Sequence, residues 1–191
     1  MSDSGLSDSA LGESGLSTVV QQLIELDARW AVWSPALTPA ALTSVEQCEA
    51  DPALAQQVNV ELASNVAAAC AQLNIALAHI STDHLFDGSQ PLVDEDTLVN
   101  PMNRYGQSKA EAEQAVLALH PASLVIRTNF YGFGPPWHPS FSDTILDGLR
   151  AGRELRLLTN VYYSPLLLQD MIQAMLELVE GGYQGIFNVV G

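Results

Sequence analysis

Basic residues are scarce in this sequence. Seven Lys and Arg stand against 22 Asp and Glu, for a formal charge of −15 and a pI near 4.3. A chain this acidic repels phosphates over a Debye length, so nucleic acid and anionic membrane surfaces are excluded as natural partners. Cysteine is almost absent. Cys48 and Cys70 stand alone, with no CxxC pair and no His at ligand spacing. That excludes a disulfide framework and a structural zinc site, and fits reduced thiols in a cytoplasmic protein. The opening "MSDSGLSDSALGESGLS" lacks the basic and apolar regions of a secretory signal. No apolar run is long enough to span a bilayer. Trp30, Trp33 and Trp137 are scattered and make no stacking platform.

What is present is an ordinary globular composition. The 191 residues are 48% hydrophobic, with a mean hydropathy of +0.13. That supports one domain with a real core, not two. Residues 1–16 are rich in Ser, Gly and Asp and read as a flexible lead-in. "STVVQQLIELDA" has helical spacing. "RWAVWS" reads as a strand, and the Pro-punctuated stretch 35–52 as a loop. "ALAQQVNVELASNVAAACAQLN" reads as a long helix ending near Asn74. "IALAHIS" is a strand, residues 104–119 a helix, and "SLVIRTN" a strand. "FYGFGPPWHPS" follows as a loop, "FSDTILDGLRAGR" as a helix and "ELRLLT" as a strand. A helix closed by Gly181 and Gly182 and a last strand, "GIFNVVG", complete the chain. Short apolar strands alternating with helices predict a doubly wound α/β fold around a parallel sheet. In such sheets, ligands sit beyond the carboxyl ends of the strands. Ser81-Thr82-Asp83 and Thr128-Asn129-Phe130 follow two such ends and face one crevice.

The second half of that crevice is a Tyr-Lys pair. Tyr105 and Lys109 are four residues apart in "NRYGQSKAEAE", so they share a helix face. A free phenol is a poor acid at neutral pH, and a nearby ammonium lowers its pKa. A Tyr so tuned can protonate a carbonyl oxygen, and the Thr82 hydroxyl can orient the same oxygen. The hydride must then come from a cofactor, because no side chain carries one. Alone, Y-x-x-x-K is a weak motif. The hydroxyl-bearing strand end upstream makes it specific.

The ordered set S-T-D-x-x-F-D-G, P-x-N-x-Y-G-x-x-K-x-x-x-E and I-R-T, as "STDHLFDG", "PMNRYGQSKAEAE" and "IRT", resembles the extended short-chain dehydrogenase/reductase superfamily. Within it the set is most similar to the dTDP-4-dehydrorhamnose reductase family, over the chain from about Leu16 onward. The resemblance implies NADPH- or NADH-dependent reduction of a 4-keto sugar nucleotide, on a dinucleotide-binding Rossmann-like domain. It implies Thr82, Tyr105 and Lys109 as the catalytic set. Tyr105, Lys109 and Thr128 then hold the cofactor, and Thr82, Asp83, Asn129 and Phe130 meet the substrate. Asn59 matches an Asn whose role in the superfamily is mainly structural. The alternatives are an inactive fragment of such a reductase, and a non-catalytic regulatory or binding subunit like the β subunit of methionine adenosyltransferase, a relative within this family.

The chain also departs from the pattern. "GESGLS" has no strand before it, so it is not the Gly-rich phosphate turn of a Rossmann fold. The expectation is a partial domain over 17–191 that lacks the first βαβ units and part of the C-terminal substrate region. The start of that region lies at about 130–191. Missing strands would expose a sheet edge, which a homodimer or a partner chain could cover. His84 stands where relatives commonly carry Tyr. Trp33 and Ser34 replace small residues near the cofactor. His138 reads as a loop residue, Asp94, Glu95 and Asp96 as a solvent-facing turn, and Glu111 and Glu113 as the exposed face of their helix.

Overall fold

The computed structural model describes residues 30–33, 42–134, 139–157 and 160–191. The expected lead-in, the helix expected within 17–28, Ser34, Trp137 and His138 lie outside the described residues.

Four strands form one parallel sheet: β1 (Trp30–Trp33), β2 (Ala76–Ile80), β3 (Leu124–Thr128) and β6 (Gly185–Val189). They lie in that spatial order, with Trp30 opposite Ala76, Ala78 opposite Leu124, and Leu124 opposite Gly185. Two short strands, β4 (Phe130–Tyr131) and β5 (Leu166–Leu167), pair beside it. The helices are α1 (Val45–Ala50), α2 (Pro52–Ala55), α3 (Leu62–Leu73), α4 (Arg104–Leu119), α5 (Phe141–Arg150) and α6 (Leu168–Glu180). A wider π-helical segment, Gln56–Glu61, joins α2 to α3.

Alternation along the strands feeds two cores. Leu77 points to α3 and α4 and packs with Val66, Ala112 and Val116. Ala78, Ile80, Leu124 and Ile126 point the other way, against Met171 and Met175 of α6. Helices on both faces of a parallel sheet make the fold doubly wound α/β, as expected. Fully buried side chains such as Ile126 each contribute on the order of 2 kcal/mol of apolar burial.

Four expected boundaries change, the first at Phe130–Tyr131, read as the start of a loop but paired with Leu166–Leu167 as β4. The stretch read as a loop over 35–52 contains α1, because Ser44 caps it by accepting from the Gln47 amide. Pro52 does not break the chain there. It sits in the first turn of α2, where no N–H is needed, after Asp51 as N-cap. The expected strand "ELRLLT" does not form over Glu154–Leu157. Arg156 and Leu157 are exposed, and among the described residues no strand pairs with them.

The long helix ends as its sequence suggests. Asn74 adopts φ 54°, a left-handed cap, which Asn tolerates better than most residues. Helix α4 starts at Asn103, whose side chain accepts from the Gly106 amide at 2.8 Å. Its first amide also reaches α1: Arg104 N–H donates to Glu49 at 2.7 Å.

Candidate active site

Parallel pairing brings the carboxyl ends of β2 and β3 side by side. The ladder runs one residue past β2, where Ser81 N–H donates to the Ile126 carbonyl. Thr82 and Asp83 therefore emerge next to Thr128 and Asn129. The Asn129 amide donates to both oxygens of Asp83, at 3.0 and 3.3 Å, and locks the two strand ends together. His84 N–H donates to Thr82 Oγ1 at 3.2 Å, which turns the chain away from the sheet.

Helix α4 crosses this edge at Gly106. A Cβ there would run into the His84 carbonyl and lie 2.9 Å from Pro101 Cβ. Glycine lets the helix sit directly on the strand end, and so sets how far Tyr105 reaches. The Tyr105 ring meets the His84 ring edge-on at 5.5 Å.

Lys109 lies one turn further on and is 1% exposed. Its Nζ donates to the Ile80 carbonyl at 2.8 Å. Burial lowers its pKa from 10.5 to about 8, against the pull of Glu113, which raises it. Tyr105 moves the other way. Burial pushes the phenol up, a hydrogen bond with Thr82 draws it down, and Asp83 and Cys48 push it up again. The sequence reading expects a lysine-lowered phenol. In the structure the apolar surroundings outweigh any such effect.

Asn59 braces the helix from behind. It is fully buried in the π-helical segment, and its Nδ2 donates to the Leu42 carbonyl at 3.2 Å and to Ser108 Oγ at 3.0 Å. Ser108 in turn donates to the Tyr105 carbonyl at 2.8 Å. A π-bulge spends an extra residue on one turn, and such bulges gather at functional sites.

These side chains enclose a cavity of about 230 Å³ that Thr82, His84, Tyr105, Lys109, Thr128 and Asn129 help to line. A larger cavity of about 1350 Å³ adjoins it and shares His84, Asn129 and Phe130. Asp83 lies on the larger side, with Asn103, Tyr131, Tyr162 and Tyr163. Every catalytic, cofactor and substrate candidate read from the sequence thus lines one or the other. Among the described residues, Ser81 Oγ and Thr128 Oγ1 are buried without a protein partner, and both residues line the smaller cavity. The Asp94–Asp96 turn is exposed, and no group of acidic, His or Cys residues that could hold a metal occurs among the described residues.

The sequence reading missed one feature. Glu113 is not on an exposed face. It is 4% exposed and grips Arg127 of β3, with Oε2 2.8 Å from Nη2 and both oxygens within 3.2 Å of Nε. Glu111, two residues earlier, is exposed as expected.

The RmlD substrate binding domain model matches residues 32–190. The chain belongs to that family. Over 149 residues it is 35% identical to the dTDP-4-dehydrorhamnose reductase of Mycolicibacterium smegmatis, covering 76% of this chain and 45% of that protein. A probable low-salt glycan biosynthesis reductase, Agl14 of Haloferax volcanii, is 32% identical over 155 residues, covering 78% of this chain and 51% of that one. Among solved structures, a dTDP-4-dehydrorhamnose reductase from Bacillus anthracis in complex with NADP superposes with a TM-score of 0.83 at 28% identity. The match covers 96% of this chain and 62% of that one. The chain thus spans about half the length of the curated relatives it matches. RmlD-family membership supports the dinucleotide-binding type of doubly wound sheet that the motifs suggested. No helix among the described residues is long and apolar enough to cross a membrane.

Proposed function

We propose that this chain carries the acid–base half of a sugar-nucleotide reductase, an enzyme that reduces a 4-keto group of a dTDP-sugar with NADPH or NADH in the cytoplasm. The observation that carries the reading is the convergence of Thr82, Tyr105 and Lys109 on one cavity at the carboxyl edge of the sheet. The NADP named for the Bacillus anthracis relative supports the cofactor.

The residues present fit the nicotinamide end of such a cofactor. Ser81 Oγ and Thr128 Oγ1 are unpartnered polar groups beside the cavity. Lys109 has donors beyond the one given to Ile80. Lys109, Tyr105 and Thr128 would hold the nicotinamide ribose and amide. When bound, the reduced nicotinamide supplies the hydride that no side chain carries.

The protein's own part is proton delivery and orientation. Tyr105 donates a proton to the substrate carbonyl oxygen. Its raised pKa keeps the phenol protonated at neutral pH, as a proton donor must be. Thr82 hydrogen-bonds the same oxygen and fixes its distance from the phenol. Asn129 and Phe130 form part of the wall shared by the two cavities, past which the sugar enters, Asp83 meets it from the larger side, and the larger cavity takes the rest of the nucleotide.

Titration with NADPH and NADH, read by nicotinamide fluorescence and thermal shift, tests the cofactor. Binding in the micromolar range with a gain in melting temperature is expected. Absence of binding at millimolar cofactor refutes the reductase reading. Tyr105→Phe should keep cofactor binding while reduction of a dTDP-4-keto sugar falls by roughly 10²-fold or more. Cofactor binding without any Tyr105-dependent turnover would instead mark a non-catalytic binding protein on the same scaffold.

A further inference from the structure

Lys109 is the only lysine in the sequence, and a second buried cation, Arg127, pairs with a carboxylate of the same helix, Glu113. Arg127 side-chain exposure is 6% and that of its partner Glu113 is 5%. Glu113 is four residues after Lys109 on the inward face of α4, and it pairs with Arg127 of the facing strand β3. Arg127 also stacks over Phe86 at 5.6 Å and donates to the Glu95 carbonyl at 3.5 Å. Glu95 in turn accepts from the Asn188 amide of β6 at 2.7 Å.

We propose that Glu113 is the positioning residue of this site, holding the Lys109 ammonium through its charge and tying α4 to the 86–95 loop through Arg127. The role rests on Tyr105 and Lys109 being the acid–base pair proposed above. Its physical content does not. Lys109 meets no carboxylate directly among the described residues. Its polar contact is a neutral carbonyl, at Ile80. Around it stand His79 from β2 and Tyr105 and Glu113 from its own helix, with Arg127 from β3 behind Glu113. His79 is fully buried and held neutral by burial and by Lys109 itself. Tyr105 is neutral at neutral pH. Among the described residues, Glu113 is thus the negative charge that offsets the buried ammonium. Without it, the buried Arg127 loses its paired carboxylate and the buried Lys109 its offsetting charge, a costly arrangement for buried charges.

A single lysine makes the test direct. The full chain, labelled with 13C and 15N at lysine alone, gives one side-chain ε signal, and its pH titration reads Lys109 without assignment or substrate. Removing the carboxylate in Glu113→Gln should lower the Lys109 pKa by at least about 0.5. Removing the cation in Arg127→Gln leaves Glu113 unshared, so the Lys109 pKa should rise. A merely structural role predicts something else. Either variant would loosen the core, admit water and move Lys109 upward toward its ordinary value. Upward movement in both variants, or movement in neither, overturns the proposal.

If Glu113→Gln fails to fold, the double variant Glu113→Gln/Arg127→Gln restores a neutral, hydrogen-bonded pair. Lys109 should still titrate below its wild-type pKa there. A value at or above wild type overturns the proposal. The titration separates the two ideas. Opposite shifts in a chain that binds no cofactor would retain the positioning role and discard the reductase reading.

Discussion

Lys109 should destabilise the fold it serves. The side chain is 1% exposed, and burial takes its pKa from 10.5 to about 8. That drop corresponds to ~3 kcal/mol of native-state penalty on the charged amine. Between those two pH values the unfolded chain binds more protons than the folded one, so this group makes stability rise with pH. The penalty is fully present below pH 8 and gone above pH 10.5. Lys109→Met keeps the length of the side chain and removes the charge. It forfeits the bond to the Ile80 carbonyl, at a cost of ~1 kcal/mol. The variant should therefore be more stable than wild type by ~2 kcal/mol at neutral pH, a rise in melting temperature of roughly 4–8 °C. Urea unfolding followed by circular dichroism, at neutral pH and at pH 10.5, reads both arms. The quantity to compare is the difference between variant and wild type, because Tyr105 and Cys70 titrate at the alkaline end in both chains. A Lys109→Met protein less stable than wild type at neutral pH, or a gap unchanged at pH 10.5, would refute the reasoning. The pattern expected is a stability gain bought with lost function, as sites that hold unfavourable charge predict.

Gly106→Ala should displace α4 from the strand end. The added methyl meets the backbone of His84 and the ring of Pro101, so a loss of ~1–3 kcal/mol is expected in denaturant melts, with weakened cofactor binding in the folded fraction. Asn59→Leu removes the donors to Leu42 and Ser108 and should cost ~1–3 kcal/mol; an unchanged midpoint would show that the π-helical brace is dispensable. Ile126→Ala, in the middle of β3 and fully buried, should cost ~2–5 kcal/mol through the cavity it leaves. Both cysteines are buried and free, and burial pushes the Cys70 thiol to about 11 and raises Cys48. Neither should react with a disulfide reagent at neutral pH until denaturant is added; fast labelling of the native chain would contradict their burial.

Periodicity made most of the fold legible, because each strand and helix has to bury one face. The alternation of "IALAHIS" and "SLVIRTN" forces two-sided burial and hence a covered parallel sheet. The same alternation puts the motif residues Thr82, Asp83, Thr128 and Asn129 at the carboxyl ends of two strands. Local signals were legible only where one interaction dominates. The Asn74 cap could be read from the residue alone, whereas Ser44 and Asp51 looked like loop residues among prolines until the helices they cap were visible. "ELRLLT" had a strand's composition, but a strand needs a neighbour, and no single segment reveals whether the sheet has room for it.

Glu113 is the instructive miss, because the signal for it was present. Tyr105, Lys109, Ala112 and Val116 fall on one stripe of α4, and Glu113 lies within that stripe. Its inward position follows from the 3.6-residue period. A carboxylate there has to be neutralised, since an isolated buried charge is too costly to survive folding. The facing strand offers one cation, Arg127, directly after the apolar "LVI" of Leu124–Ile126, where an arginine is equally hard to bury alone. Two improbable charges on elements that must pack together account for each other. Composition statistics send Glu to the surface, and that prior overrode the geometry. The same logic separates Glu113 from Glu111, which lies off the stripe and is exposed. In a chain with so few cations, each buried one, Lys109 and Arg127, needs an anion within reach. On this face the described residues provide one carboxylate for both, and for that reason the charge balance of the site turns on Glu113.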